Sequence, residues 1–108
     1  MNYRIFAALS FMIFCISPAE AQNVAGNIKT IQSYQGHTGL LVRLSVPMSN
    51  PANCPSSAWY ILPDGNSRAN VEQSLLLTAY AKREWVGLQL SGCYENYPRI
   101  SVVTVEAN

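Results

Sequence analysis

Beyond the first 21 residues, three thiol or imidazole side chains have the chemistry to react: Cys54, Cys93 and His37. A cysteine attacks as its thiolate and needs a base beside it. His37 is the only histidine in the chain. A nucleophilic reading therefore needs Cys93 and His37 to meet in space. A metal reading needs ligands at close, regular spacing, which two thiols and one distant histidine do not provide. The third reading is a disulfide between Cys54 and Cys93. Other enzyme chemistries fail on inventory. Asp64 sits in a turn without the paired carboxylate that a glycosidase uses. No glycine-rich phosphate loop is present. The sequence thus points away from an enzyme and calls for no cofactor.

Compartment decides between the thiol readings. The chain opens "MNYRIFAALSFMIFCISPAEAQN". Arg4 precedes an apolar run over residues 5–16, and Ala19-Glu20-Ala21 closes the segment. A basic start, a short apolar middle and a small-x-small stop describe a secretory signal peptide. The run is shorter than the roughly 20 residues a membrane-spanning helix needs. Residues 1–21 are therefore expected to be cleaved, with Gln22 first in the mature chain. Cys15 leaves with them, and Phe14 before it does not suit a lipoprotein site. The short signal has a bacterial look, and the product is expected to be secreted or periplasmic, with no membrane attachment.

Residues 22–108 then form a single small domain whose apolar core alone is marginal. Two cysteines in an exported domain of this size form a disulfide as a rule. The pair closes a loop of about 40 residues, and on chain entropy this contributes roughly 3.5–4 kcal/mol. The remaining charges are balanced and scattered: Lys29, Arg43, Arg68, Lys82, Arg83 and Arg99 against Asp64, Glu72, Glu84, Glu95 and Glu106. Such a balance leaves no electrostatic footprint for nucleic acid or an anionic membrane.

The elements that must hold these residues read as follows. "NVAGNIKTIQSY" is a first strand with imperfect alternation, and "QGHTG" is a turn. "LLVRLSVP" is a second strand, with Val42, Leu44 and Val46 on one face. "MSNPANCPSS" is a loop, because its prolines bar regular pairing. "AWYILP" is a third strand, ended by Pro63 and Asp64-Gly65. "NSRANVEQSLLLTAYAKR" carries Val71, Leu75, Thr78 and Ala79 at helical spacing, with Leu76 and Tyr80 on an adjoining stripe. Ser67 or Asn70 can cap its start. "EWVGLQLSG" is a fourth strand with Val86, Leu88 and Leu90 inward. "RISVVTVEA" is a fifth, with Ile100, Val102 or Val103, and Val105 as core candidates.

Five strands with one helix between the third and fourth match a β-rich α+β fold, a five-stranded OB-fold-like Greek-key barrel, the alternative being another α+β sheet with one helix across it. Closure removes the edges an open sheet exposes. With strands alternating in direction, Cys54 and Cys93 fall at one end. The turn with His37 falls at the other, a strand length or about 15–20 Å away. This scheme allows the disulfide and keeps His37 away from Cys93.

The disulfide would anchor "CYENYPRI". Tyr94 and Tyr97 bring flat faces and hydroxyls, while Glu95, Asn96 and Arg99 bring polar contacts. That mixture suits a sugar or a peptide. Tyr94, Asn96, Tyr97 and Arg99 are accordingly the candidate ligand-binding residues. The same tyrosines also suit packing over a thin core. Trp59 and Trp85 read as strand residues of a core or an interface, and His37 as a polar turn residue.

The region "AWYILPDGNSRANVEQSLLLTAYAKREWVGLQLSG", with the signal peptide, the chain length and this element order, resembles the subtilase-cytotoxin-type B subunits of bacterial AB5 toxins. The resemblance implies a homo-oligomer, a ring-shaped pentamer if toxin-like, that binds glycans. The family's sugar site draws on a segment ahead of the first strand, and here that strand begins almost at the cleavage point. The family disulfide joins strands two and three, whereas this one reaches from before strand three to the end of strand four. No binding residue is carried over. The expected function is an exported non-enzymatic binding module for a glycan or protein partner. The alternative is a secreted or periplasmic inhibitor that acts on an enzyme through exposed loops.

Overall fold

The computed structural model describes residues 21–107. Apart from Ala21, the expected signal peptide lies outside the described residues, and Cys15 with it. The chain forms a β-rich α+β domain, a five-stranded mixed sheet with one helix. Its elements are β1 (Ala21–Ser33), β2 (Gly39–Leu44), β3 (Tyr60–Pro63), α1 (Ala69–Lys82), β4 (Trp85–Tyr94) and β5 (Tyr97–Glu106). This is the order read from the sequence.

The long β1 serves two neighbours. Its first half pairs with β4, from Ala21 opposite Ser91 to Asn27 opposite Trp85. Its second half pairs with β2, from Ile28 opposite Leu44 to Ser33 opposite Leu40. β2 continues to β3, β3 meets β5 in parallel at Ile61 and Arg99, and β5 returns to β4. The strand order is therefore β1-β2-β3-β5-β4, with β4 back against β1.

Two of the three register shifts explain where alternation falters. One lies between Ile28 and Thr30 of β1. An extra residue flips the side-chain phase, so Val24 and Ile28 before it and Ile31 after it all pack against the core. The other lies beside Leu90, where Ile100 pairs with Leu90 but Val102 with Gln89. It settles the choice in β5: Ile100, Val103 and Val105 face inward, and Val102 faces out.

Val42, Leu44, Tyr60, Leu62, Leu76, Val86, Leu88 and Leu90 form the interior with Ala79 and Ile100. Leu41 and Ile61 are cross-strand partners and are buried outside that cluster. β3 is thus apolar on both faces, whereas in β2 the face that buries Leu41 also carries the exposed Arg43. Gly39 begins β2 where a Cβ would come within 2.4 Å of the Leu62 carbonyl oxygen, so only glycine fits that approach. The Tyr60 hydroxyl accepts a hydrogen bond from the Ser49 amide at 2.9 Å, tying the loop before β3 to the interior. Burial pushes the Tyr60 phenol above its ordinary value, and that bond offsets part of the rise.

The helix differs from the expectation. Its buried stripe is Ala69, Glu72, Leu76 and Ala79, while Val71 is 59% exposed and Thr78 is exposed too. Leu75, Leu76 and Leu77 are apolar at three successive positions, so spacing alone could not choose the inward face. Neither Ser67 nor Asn70 caps it. Arg68 is the N-cap, without a side-chain cap bond, and the Asn66 carboxamide oxygen accepts from the Arg68 amide at 2.8 Å. Arg83 ends the helix in the left-handed region, and the Glu84 amide reaches back to the Ala79 carbonyl at 3.0 Å. This is the usual way of satisfying the last carbonyls.

Candidate binding site

The Cys54–Cys93 disulfide is present, with Cα atoms 5.7 Å apart. Asn50 prepares it locally: its side chain accepts from the Cys54 amide at 2.8 Å and donates to the Cys54 carbonyl at 3.0 Å. Two residues on, the Ser56 amide donates to the Asn96 carbonyl at 2.9 Å. The loop before β3 is thus fastened twice to the β4–β5 hairpin.

That hairpin is tighter than the expected loop. Tyr94 and Tyr97 are themselves a cross-strand pair, which leaves only Glu95 and Asn96 as the turn. Both have positive φ, 50° and 78°. A two-residue turn of this hand matches the twist of its strands. Asparagine tolerates that region well, but glutamate does not. Contacts from the β1–β2 loop hold Glu95 there. Its carboxylate accepts from the Thr38 amide at 3.1 Å, the Thr38 hydroxyl at 2.9 Å and the His37 Nδ1 at 3.0 Å. The Thr38 and Tyr94 hydroxyls are 2.6 Å apart.

These contacts correct the topological expectation. His37 lies on Glu95, two residues beyond Cys93, not a strand length away. Strands that simply alternate in direction would lie side by side and put the two loops at opposite ends. Twisted strands cross one another at an angle, and a 13-residue β1 shared between β4 and β2 carries its loop over the β4–β5 turn. Cys93 is excluded as a nucleophile by its disulfide, not by distance from His37.

The four candidate residues occupy one hairpin but different surroundings. The Tyr97 ring meets His37 edge-on at 5.2 Å between centroids, and the Tyr34 ring lies tilted to His37 at 5.6 Å. Tyr97 is half-buried, and Asn96 is exposed at the turn. Arg99 is exposed, with its Nε donating to the Ser91 carbonyl at 2.9 Å. Tyr94 and Arg99 together line a cleft of about 350 Å³ with Arg68 and Glu72, residues that no local spacing connects to them. Glu95, His37 and Thr38 were also missed as a unit, because nothing local in "QGHTG" points to residues 57 or 58 positions away. Trp59 lies just ahead of β3, half-buried, with the Arg43 guanidinium 4.0 Å over its ring. Trp85 is not core: it is 52% exposed on the sheet surface.

The Glu95 clasp responds to acid. Desolvation at the loop junction acts to raise its carboxyl. The Thr38 hydroxyl and amide, the His37 hydrogen bond and the His37 charge outweigh this, holding it below the ordinary 4.5. A carboxyl depressed in the folded state contributes stability above its unfolded value, and the contribution fades as pH falls through the folded one. The clasp is expected to hold at neutral pH and to open only below pH 4.5. The Thr38 amide resonance should titrate with a midpoint under that value, and Glu95→Gln should erase the transition. A midpoint at or above 4.5 would show that the contacts do not favour the charged form.

Among the described residues, no group of three His, Cys, Asp or Glu side chains is placed to hold a metal ion, and no helix is long and apolar enough to cross a membrane. The chain matches no protein-family model and no curated protein.

Proposed function

We propose that the chain is an exported, non-enzymatic binding module of OB-fold-like, five-stranded Greek-key barrel type. It holds a glycan or protein partner on the β4–β5 hairpin. The observation that carries this reading is the double fastening of that hairpin. The disulfide pins it one residue pair below the turn and the Glu95–Thr38 clasp fixes the turn itself, so Tyr94, Tyr97 and Arg99 stand on a stiff support. Preorganised side chains lose little freedom on binding, which raises affinity without new contacts. The pairing circuit β1-β2-β3-β5-β4 and the juxtaposed β1–β2 and β4–β5 loops favour the OB-fold assignment, and such folds bind oligonucleotides and oligosaccharides at these loops. Balanced charge favours the oligosaccharide or a protein over nucleic acid. The disulfide accords with a secreted or periplasmic location.

The resemblance to AB5 toxin B subunits adds a homo-oligomer to the proposal. Val71 and Leu77 on α1 and Trp85 on β4 are exposed apolar side chains that an oligomer would cover. Mass measurement in solution separates the readings. A ring supports the toxin-like subunit, and a monomer supports the inhibitor or a simple periplasmic binder.

The binding surface itself is tested by Tyr97→Ala and Arg99→Ala. Both variants should weaken attachment to the glycan or protein partner by roughly tenfold or more, while thermal melting stays nearly unchanged. A fully buried aromatic would instead cost about 3–5 kcal/mol on truncation. A Tyr97→Ala protein that binds normally but melts far lower would make Tyr97 a packing residue and remove the hairpin from the proposal.

A further inference from the structure

The cleft beside α1 holds an unusual group. The Glu72 side chain is only 8% exposed. Charged residues are rarely buried so far without close partners. Yet among the described residues no group donates a hydrogen bond to its carboxylate. Its nearest cation is Arg68, with Nε at 4.0 Å, outside hydrogen-bond range. Arg68 is itself 77% exposed, so water screens that attraction. Arg99, on the same cleft, commits Nε to Ser91, and its terminal nitrogens make no bond among the described residues. The cleft thus combines a buried acceptor lacking a donor with two guanidinium groups that have donors to offer.

A buried carboxylate without hydrogen bonds is costly, and a bound ammonium would relieve that cost. Guanidinium groups match a carboxylate in bidentate fashion. We infer that this cleft binds a small zwitterion of the α-amino-acid class. The ammonium meets Glu72, the carboxylate meets Arg68 and Arg99, and the side chain lies along Tyr94 and Ile100. A volume of about 350 Å³ suits one small molecule better than an extended chain. The inference rests on the binding-module reading, because Tyr94 and Arg99 serve both.

NMR titration of the purified protein with glycine, L-leucine and L-lysine tests it. Isoamylamine and 4-methylpentanoate serve as the two halves of leucine. At least one amino acid should shift the Arg68, Glu72 and Arg99 amides saturably, and each half should bind at least about tenfold more weakly than leucine. Glu72→Gln should reduce amino-acid affinity by roughly tenfold or more. Should that variant fail to fold, Arg68→Ala at its exposed position should bring a clear loss by itself. No saturable shift with any amino acid, halves as tight as leucine, or unchanged affinity in the folded variants overturns the inference. Tyr97 does not line the cleft, so Tyr97→Ala should leave amino-acid binding intact. If amino acids fail while Tyr97→Ala still weakens partner attachment, only the cleft assignment falls. If neither effect is found, the hairpin proposal falls with it.

Discussion

Cys93→Ser will lower the unfolding free energy by about 2–5 kcal/mol. The disulfide spans a sequence separation of 39 residues and ties the loop before β3 to the β4–β5 hairpin. Removing it frees the unfolded chain to explore far more conformations, which on chain entropy alone accounts for roughly 3.5–4 kcal/mol. For a domain of this size that loss lowers the melting temperature by more than about 10 °C. Urea unfolding of wild type, variant and reduced wild type provides the measurement. Reduced wild type should fall to the level of the variant. An unreduced wild type with a freely alkylated Cys93, or a variant with an unchanged midpoint, would contradict the disulfide's role.

Tyr60→Ala will cost about 3–5 kcal/mol, since it empties the largest fully buried site in the interior. Tyr60→Phe keeps the ring and loses only the bond from the Ser49 amide. Its cost should be about 0.5–1.5 kcal/mol. The contrast separates ring packing from the hydroxyl's tie to the loop. The same residue sets an alkaline limit. Its phenol is raised in the folded state, so the unfolded chain ionises first and stability falls as pH rises past about 10. Tyr60→Phe should flatten that part of the profile. Equal costs for the two substitutions would mean that the ring contributes little to the core.

The residues that alternate cleanly declare their role without a structure. Val86, Leu88 and Leu90 face inward as their spacing requires, and the two cysteines of the expected mature chain pair as their number and compartment imply. Where two faces are equally apolar, periodicity has nothing to choose with. In α1, Leu76 and Ala79 turn inward and Val71 and Thr78 stay in solvent, an orientation that spacing alone does not specify. The buried place of Val103 rather than Val102 depends on one extra residue beside Leu90, a register feature that local pattern does not encode. The candidate site is harder still. Its tyrosines and arginine are conspicuous in "CYENYPRI", but their partners come from the distant "QGHTG" turn and the start of α1. Such contacts follow from how twisted strands cross, which spacing along the chain does not express.

The central claim is that the β4–β5 hairpin is the binding surface. A glycan array and partner capture with the purified protein supply a ligand, and amide chemical-shift mapping with that ligand tests the claim most directly. Perturbations should centre on Tyr94, Asn96, Tyr97 and Arg99 and extend to His37 and Thr38 across the clasp. Perturbations confined to Val71, Leu75 and Thr78 of α1, or to Trp85 and Val102 on the sheet, with the hairpin silent, would contradict it.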